Sequence, residues 1–340
     1  MTKIWIDIIN PANALFFNSL IPELSSHQVD ITIRNRAETV GLCKLFDING
    51  RVIGTDYSNP LKKSANMIYR TLQLIKHVNK FDISISFENG MCTAVSKFRG
   101  GLSILFCDND LKFFQKKSAF QDLETNIKSF ANYVFIPQVC RKNFSTIIDN
   151  NRLISYDGCK EDIYIADYIP DPNFLDKIPY NDYVVVRPEA LASFYVKESK
   201  SIVNELLKRL ENDGINVIYL PREKEDIKYA KGRSFYTPSD PLRGLDLCYY
   251  ADAVLTGSGT FAREAACMGT TSVSFFPSSK LLSVDQQLVN EGKILHSIDV
   301  DEIVDYVSKR YQSPKNRDIN RCRNVRKELM IQFHQILNLV

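Results

Sequence analysis

Apolar residues along the chain fall into short continuous runs separated by amphipathic stretches. Runs of four to six apolar residues bounded by turn residues predict buried strands, and apolar spacing of three and four predicts helices. Residues 3–8 predict a first strand, followed by the turn Asn10-Pro11-Ala12-Asn13 and a helix over 14–24. Strands follow at 29–33, 51–54, 83–87 and 102–106, and residues 133–136 close this half. Helices are expected at 37–46, 64–79 and 93–98, the second with Ile68, Leu72, Ile75 and Val78 facing inward. Two strands end in polar clusters, Glu88-Asn89-Gly90 and Cys107-Asp108-Asn109-Asp110. Strands alternating with helices at this pitch imply a parallel sheet covered on both faces.

The pattern then breaks. Residues 167–182, DYIPDPNFLDKIPYND, carry three prolines and four aspartates, a density that predicts a linker. Beyond it the alternation resumes. Strands are expected at 183–187 and 216–220, and helices at 199–212 and 246–250. Strand 253–255, a glycine turn, helix 261–268 and strand 271–276 come next, then helices at 300–311 and 320–337. The expected fold is α/β, with two similar domains whose parallel sheets face a central cleft. The domains are drawn as 1–166, a linker at 167–182, a second domain at 183–318, and a C-terminal helix at 319–340 that packs back toward the first domain.

Composition narrows the function. A length of 340 residues suits two domains. A net charge of +3 is too small to make nucleic acid the main partner. The eight cysteines include no C-x-x-C pair, and several lie in apolar runs, so buried reduced thiols in a cytoplasmic protein are expected. The four histidines have no ligand spacing, and no structural zinc is expected. No signal peptide is visible, and no apolar window approaches the roughly 20 residues of a spanning helix.

The stretch ADAVLTGSGTFAREAACMGTTSVSFFP, residues 251–277, carries the sharpest chemistry. Strand, Gly257-Ser258-Gly259-Thr260, helix and strand make the unit that presents free helix N–H groups to an anion. Glu264 stands about one turn into that helix, where a carboxylate can accept hydrogen bonds from ribose hydroxyls. The competing reading is an ordinary turn whose glycines only permit tight packing. Ligands of open parallel sheets bind at the carboxyl ends of the strands. That rule collects Asn10, Asn13, Glu88, Asp108 and Asp110 from the first domain. It collects Arg187, Arg222, Ser258, Gly259, Thr260 and Glu264 from the second.

Five stretches carry a resemblance: IWIDIINPANALFF, YDGCKEDIYI, VVVRPEA, YLPRE and the glycine block. With these in order across most of its length, the chain resembles the domain of unknown function 354 family. That family is similar in turn to GT-B glycosyltransferases and UDP-GlcNAc 2-epimerases. The resemblance implies two Rossmann-like domains in a GT-B-like arrangement, 1–166 on the acceptor side and 183–318 binding the nucleotide sugar, with a UDP-sugar in the cleft: Ser258, Gly259 and Thr260 on the diphosphate, Glu264 on the ribose and Arg187 near the phosphates. It also implies Asp285, Gln286 and Gln287 near the donor sugar. The family's first turn usually reads Asn-Pro-Ala-His, whereas this chain has Asn13, and an amide cannot serve as a base. Either the base lies elsewhere, at Asp108, Asp110 or Glu88, or the chemistry is weakened or altered; Asn13 is also read as a helix N-cap. Asp108-x-Asp110 matches an Asp-x-Asp motif formally, but no metal and no cofactor are expected.

The expected activity is metal-independent transfer of a sugar from a UDP-linked donor to a hydroxyl or lipid-phosphate acceptor in surface glycan synthesis. An epimerase-like enzyme, a nucleotide-sugar hydrolase and a non-catalytic nucleotide-sugar-binding protein are the alternatives. Lys160 is an acceptor-side candidate, with Asn10. Residues 111–120, LKFFQKKSAF, mix three phenylalanines with three lysines. They read either as a solvated helix or as a contact with an anionic membrane surface at the inner face of the membrane.

Overall fold

The computed structural model describes residues 1–56, 60–113, 119–189, 201–278 and 280–339. The chain forms two compact units. Residues 1–164, 282–284 and 324–340 make the first, and residues 165–281 and 285–323 the second.

The elements run β1 (Lys3–Ile8), α1 (Pro11–Leu20), β2 (Gln28–Asn35), α2 (Thr39–Leu45), β3 (Arg51–Thr55) and α3 (Pro60–His77). Next come β4 (Ile83–Phe87), α4 (Gly90–Arg99), β5 (Leu102–Phe106), α5 (Ala119–Lys128), β6 (Tyr133–Pro137), α6 (Arg141–Phe144), β7 (Leu153–Tyr156) and α7 (Lys160–Ile165). The chain continues through β8 (Val184–Arg187), α8 (Val203–Asn212), β9 (Val217–Tyr219), α9 (Gly244–Tyr250), β10 (Ala253–Thr256) and α10 (Gly259–Cys267). It finishes with β11 (Thr271–Ser274), α11 (Ser283–Asn290), β12 (Ile294–His296), α12 (Val300–Ser308) and α13 (Asn320–Leu337).

Both sheets are parallel throughout their described pairings. The first has the order β3-β2-β1-β4-β5-β6-β7, so its direction of winding reverses between β1 and β4. The second has the order β12-β11-β10-β8-β9 and reverses between β8 and β10. Open sheets bind ligands at the strand ends beside such reversals.

An aromatic stack fills one face of the first sheet. Phe16 of α1 lies 5.0 Å from Phe87 and 4.9 Å from Phe106, which stacks on Phe135 at 4.9 Å. Phe333 of α13 completes the stack at 6.1 Å from both Phe106 and Phe135. Trp5, Leu74, Val78, Phe81, Met91 and Val95 pack together as another apolar cluster. In the second unit, valines of β8 pack with Leu206, Leu207 and Leu210 of α8 and Ile303 and Val304 of α12. All eight cysteines are buried.

The inward face of α3 differs from the expectation. Ile68 and Leu72 are exposed, whereas Asn66, Arg70 and Leu74 are buried, as is Val78 just beyond the helix, which was expected inward. The reason is electrostatic. Asp7 is fully buried at β1, and Arg70 reaches it with two hydrogen bonds, Nη2 to Oδ1 at 2.7 Å and Nη1 to Oδ2 at 2.9 Å. Asp7 also accepts from Thr32 Oγ1 at 2.6 Å and Asn89 Nδ2 at 2.7 Å. A buried carboxylate demands such partners, and meeting that demand turns Arg70 inward and two aliphatic residues outward.

Other differences are additions. The sheet does not close at β6 but adds β7, and α5, α11 and β12 have no counterpart in the expected elements. Residues 167–182 are part of the second unit. Tyr168 Oη donates to Asp246 at 2.5 Å, Tyr250 Oη donates to the Asp171 carbonyl at 2.9 Å, and Phe174 stacks on Tyr250.

Candidate functional site

In the second unit the site residues assemble at the winding reversal. The last residue of β8, Arg187, pairs in register with Thr256, the last residue of β10. The chain leaves β10 through Gly257, whose N–H donates to the Arg187 carbonyl at 3.1 Å. A Cβ on Gly257 would lie 2.5 Å from the Glu189 Cα, so only glycine lets the two loops touch. Ser258 is the N-cap of α10, in extended conformation, and its hydroxyl makes no capping bond. The half-buried first turn, Gly259 and Thr260, thus presents amides that the helix itself does not satisfy. The Arg187 guanidinium lies 5.9 Å from the centre of the Phe261 ring, one step into the same helix.

Glu264 is buried one turn further on, against α9. Burial raises the Cys248 thiol well above its usual range, and the Glu264 charge adds to that shift. Arg263 is a residue that spacing did not single out. Its guanidinium points back along α10, and Nη1 bonds Asp285 Oδ1 of α11 at 2.5 Å while Nη2 reaches Thr260 Oγ1 at 3.4 Å. A Cβ on Gly259 would sit 3.1 Å from Arg263 Nη1 and 3.2 Å from Asp285 Oδ2. The pair therefore borders the first turn of α10 directly. The one signal in the sequence was a basic residue four positions after a turn glycine, since helical side chains lean toward the N-terminus.

The remaining second-unit candidates stand apart from this group. Arg222 follows β9, two strand spacings or about 10 Å from β10, and it is exposed, with its N–H bound to Asp226 at 3.0 Å. Gln286 and Gln287 donate along α11 to Asn290 and Glu291, at 3.0 and 2.8 Å.

In the first unit, four candidates cluster beyond the ends of β4, β5 and β7. Glu88 has a positive φ of 50°, uncommon for a residue with a side chain. Its Oε1 accepts from the N–H groups of Asp108 and Asn109 at 3.1 and 3.0 Å, and its Oε2 meets Lys128 at 2.6 Å. Burial alone would lower the Lys128 ammonium, but the charges of Glu88 and Glu124 outweigh it and raise it. Asp108 pairs with Lys160 at 2.8 Å, both buried, and Lys160 Nζ also lies over the Phe87 ring at 5.6 Å. Asp110 is fully buried and accepts from Asn143 Nδ2 at 2.7 Å and Ser283 N at 3.1 Å. The two carboxylates of Asp108-x-Asp110 thus serve different partners, an ammonium and a pair of amides.

Asn10 and Asn13 stand at the β1–α1 turn. The N-cap of α1 is Asn10, which corrects the reading of Asn13 as the cap; Asn13 is the third helical residue, set by Pro11 at the helix start. The buried Asn13 side chain donates to the Phe87 carbonyl at 3.3 Å, and Asn10 Oδ1 accepts from Arg36. Residues 114–118 of the stretch 111–120, and Ala190 of the VVVRPEA stretch, lie outside the described residues.

Residues 2–339 match the model of a family described as Protein of unknown function (DUF354). An uncharacterized protein of Methanocaldococcus jannaschii is 24% identical over 320 residues, 89% of this chain and 90% of that one. Among solved structures, the UDP-N-acetylglucosamine 2-epimerase from Rickettsia bellii superposes with a TM-score of 0.73 at 12% identity, covering 100% of this chain and 98% of that one. The glycotransferase of kitacinnamycin superposes with a TM-score of 0.57 at 10% identity, over 97% and 95% of the two chains. At these identities the likeness is one of fold, and that fold is α/β and GT-B-like.

Proposed function

The chain belongs to the family described as Protein of unknown function (DUF354), and we propose that it binds a UDP-linked sugar and transfers the sugar to a hydroxyl or lipid-phosphate acceptor. The observation that carries this reading is the turn from Gly257 to Thr260 at the winding reversal of the second sheet, with Arg187 beside it and buried Glu264 one turn in. The diphosphate would take the amides of Gly259 and Thr260, where the helix dipole and Arg187 favour negative charge. Glu264 would accept from the ribose hydroxyls. During transfer the leaving UDP gains negative charge, and fixed amides and a guanidinium stabilise it without rearranging. For the acceptor proton we assign Asp108, since Asp110 is fully buried and already accepts from two amides. Glu88 is spent on two backbone amides and Lys128, and its role is to hold the loop that carries Asp108. Solved structures of this fold named for UDP-sugar epimerisation and for glycosyl transfer support a nucleotide-sugar ligand.

The test is a thermal-shift panel of UDP and other nucleotide sugars, with released nucleotide followed in the presence of lipid-phosphate and glycan acceptors. A stabilising shift with a UDP-sugar and acceptor-dependent release of UDP are expected. No shift with any nucleotide would remove the reading. Conversion of the sugar without loss of UDP would transfer it to epimerisation. Glu264→Ala should weaken UDP binding about tenfold to a hundredfold, the worth of hydrogen bonds to a charged acceptor. Asp108→Asn should leave binding intact and slow transfer by about 10²–10⁴.

A further inference from the structure

The same turn of α3 that buries Arg70 leaves an unusual outer face. Ile68 is 68% exposed, Tyr69 60% and Leu72 59%. These positions, spaced i, i+1 and i+4, share one side of the helix. The opposite side is already committed to the core through Leu74, Val78 and Arg70. A surface helix with apolar residues on both faces has a second covering. The neighbouring helix α4 ends the same way, with Phe98 73% exposed. Arg99 ties the two helix ends together by donating to the Val78 carbonyl at 2.6 Å.

The charge along α3 and α4 has one sign. No acidic residue occurs between Asp56 and Asp82. Lys76, Lys80 and Lys97 are exposed at the ends of α3 and α4. The flanking acids are engaged: Asp56 pairs with Arg34 and Arg36, and Asp82 accepts from the Lys3 N–H. A second copy is a poor fit, because an isologous contact would set these lysines against their own copies. Apolar side chains fringed by lysine suit an interface that is apolar within and anionic at its surface.

We propose that the outer face of α3, together with the C-terminal end of α4, docks on an anionic lipid bilayer. Ile68, Leu72 and Phe98 enter the headgroup boundary, Tyr69 sits at its polar edge, and the lysines meet the headgroups. The contact is interfacial: among the described residues no helix is long and apolar enough to cross a membrane. It does not depend on the nucleotide reading.

Co-sedimentation of the full chain with vesicles of phosphatidylcholine, alone or mixed with phosphatidylglycerol, tests it. The protein should pellet with the mixed vesicles, remain in the supernatant with phosphatidylcholine alone, and be released by salt. Ile68→Ser with Leu72→Ser should weaken binding about tenfold with an unchanged melting temperature, since both side chains already face water. Should that pair alter the melt, Lys76→Gln is the second variant, expected to weaken binding about fivefold. Absence of pelleting with mixed vesicles would overturn the proposal. So would a dimer in light scattering that the serine pair converts to monomer, which would assign the face to a second copy.

Discussion

Asp7 is the residue on which the first unit's polar order depends. Taking its carboxylate out of water raises its pKa, but the Arg70 charge and the bonds from Arg70, Thr32 and Asn89 outweigh this and hold it below the usual carboxylate range. A folded pKa below the unfolded value means stability that is full above the unfolded pKa and is lost as pH falls through the folded one. Asp7→Asn leaves the Arg70 guanidinium buried without its counter-charge, and should cost about 3–5 kcal/mol by urea denaturation at neutral pH. The variant should also lose part of the wild-type decline in stability on acidification. A neutral-pH cost below about 1 kcal/mol would show that water or another group replaces the carboxylate. The same residue explains a misreading of α3. Two helical stripes compete there, and apolar count favours the one with Ile68 and Leu72, yet a buried charge on another strand outranks that count.

At the scale of elements, the β10–α10 turn was legible because glycines, strand and helix are consecutive in the chain. What the glycines do required neighbours. Gly257 is small because the Glu189 backbone presses on it, whereas a Cβ on Gly259 would meet only the ends of the Arg263 and Asp285 side chains, at 3.1 and 3.2 Å. A turn this tightly held keeps its amides fixed, as the proposed diphosphate contact needs. Gly257→Ala should push the loops after β8 and β10 apart and cost about 1–3 kcal/mol. It should also weaken UDP binding by misplacing the first turn of α10. Calorimetric titration with UDP, beside a thermal melt, checks both, and unchanged affinity in a destabilised variant would separate the turn from the ligand. The acidic clusters after β4 and β5 were legible as polar residues at strand ends. Their division of labour was not, because Lys128, Asn143 and Lys160 reach them across 40, 33 and 52 residues of chain.

At the scale of the molecule, the chain begins in the first unit, builds the second, and returns to the first with α13. That return is structural. Phe333 closes the aromatic stack, and Arg326 donates to the carbonyls of Ile163 at 3.1 Å and Ser19 at 2.8 Å while pairing with Glu23. Phe333→Ala should cost about 3–5 kcal/mol and speed hydrogen exchange of the β5 and β6 amides. Unchanged exchange there would mean the stack holds without α13.

The sequence by itself determined the α/β alternation, the parallel character of the sheets, the glycine turn and the polar strand ends. Each of these is written in neighbouring residues, as apolar period, turn chemistry and chain order. Only the tertiary structure decided which face of α3 is buried, that β7 extends the first sheet, that Asn10 caps α1, and that Arg263 and Asp285 border the turn. Those outcomes depend on which distant group satisfies a buried charge or fills a given volume, and local periodicity registers that a residue is covered without saying by what.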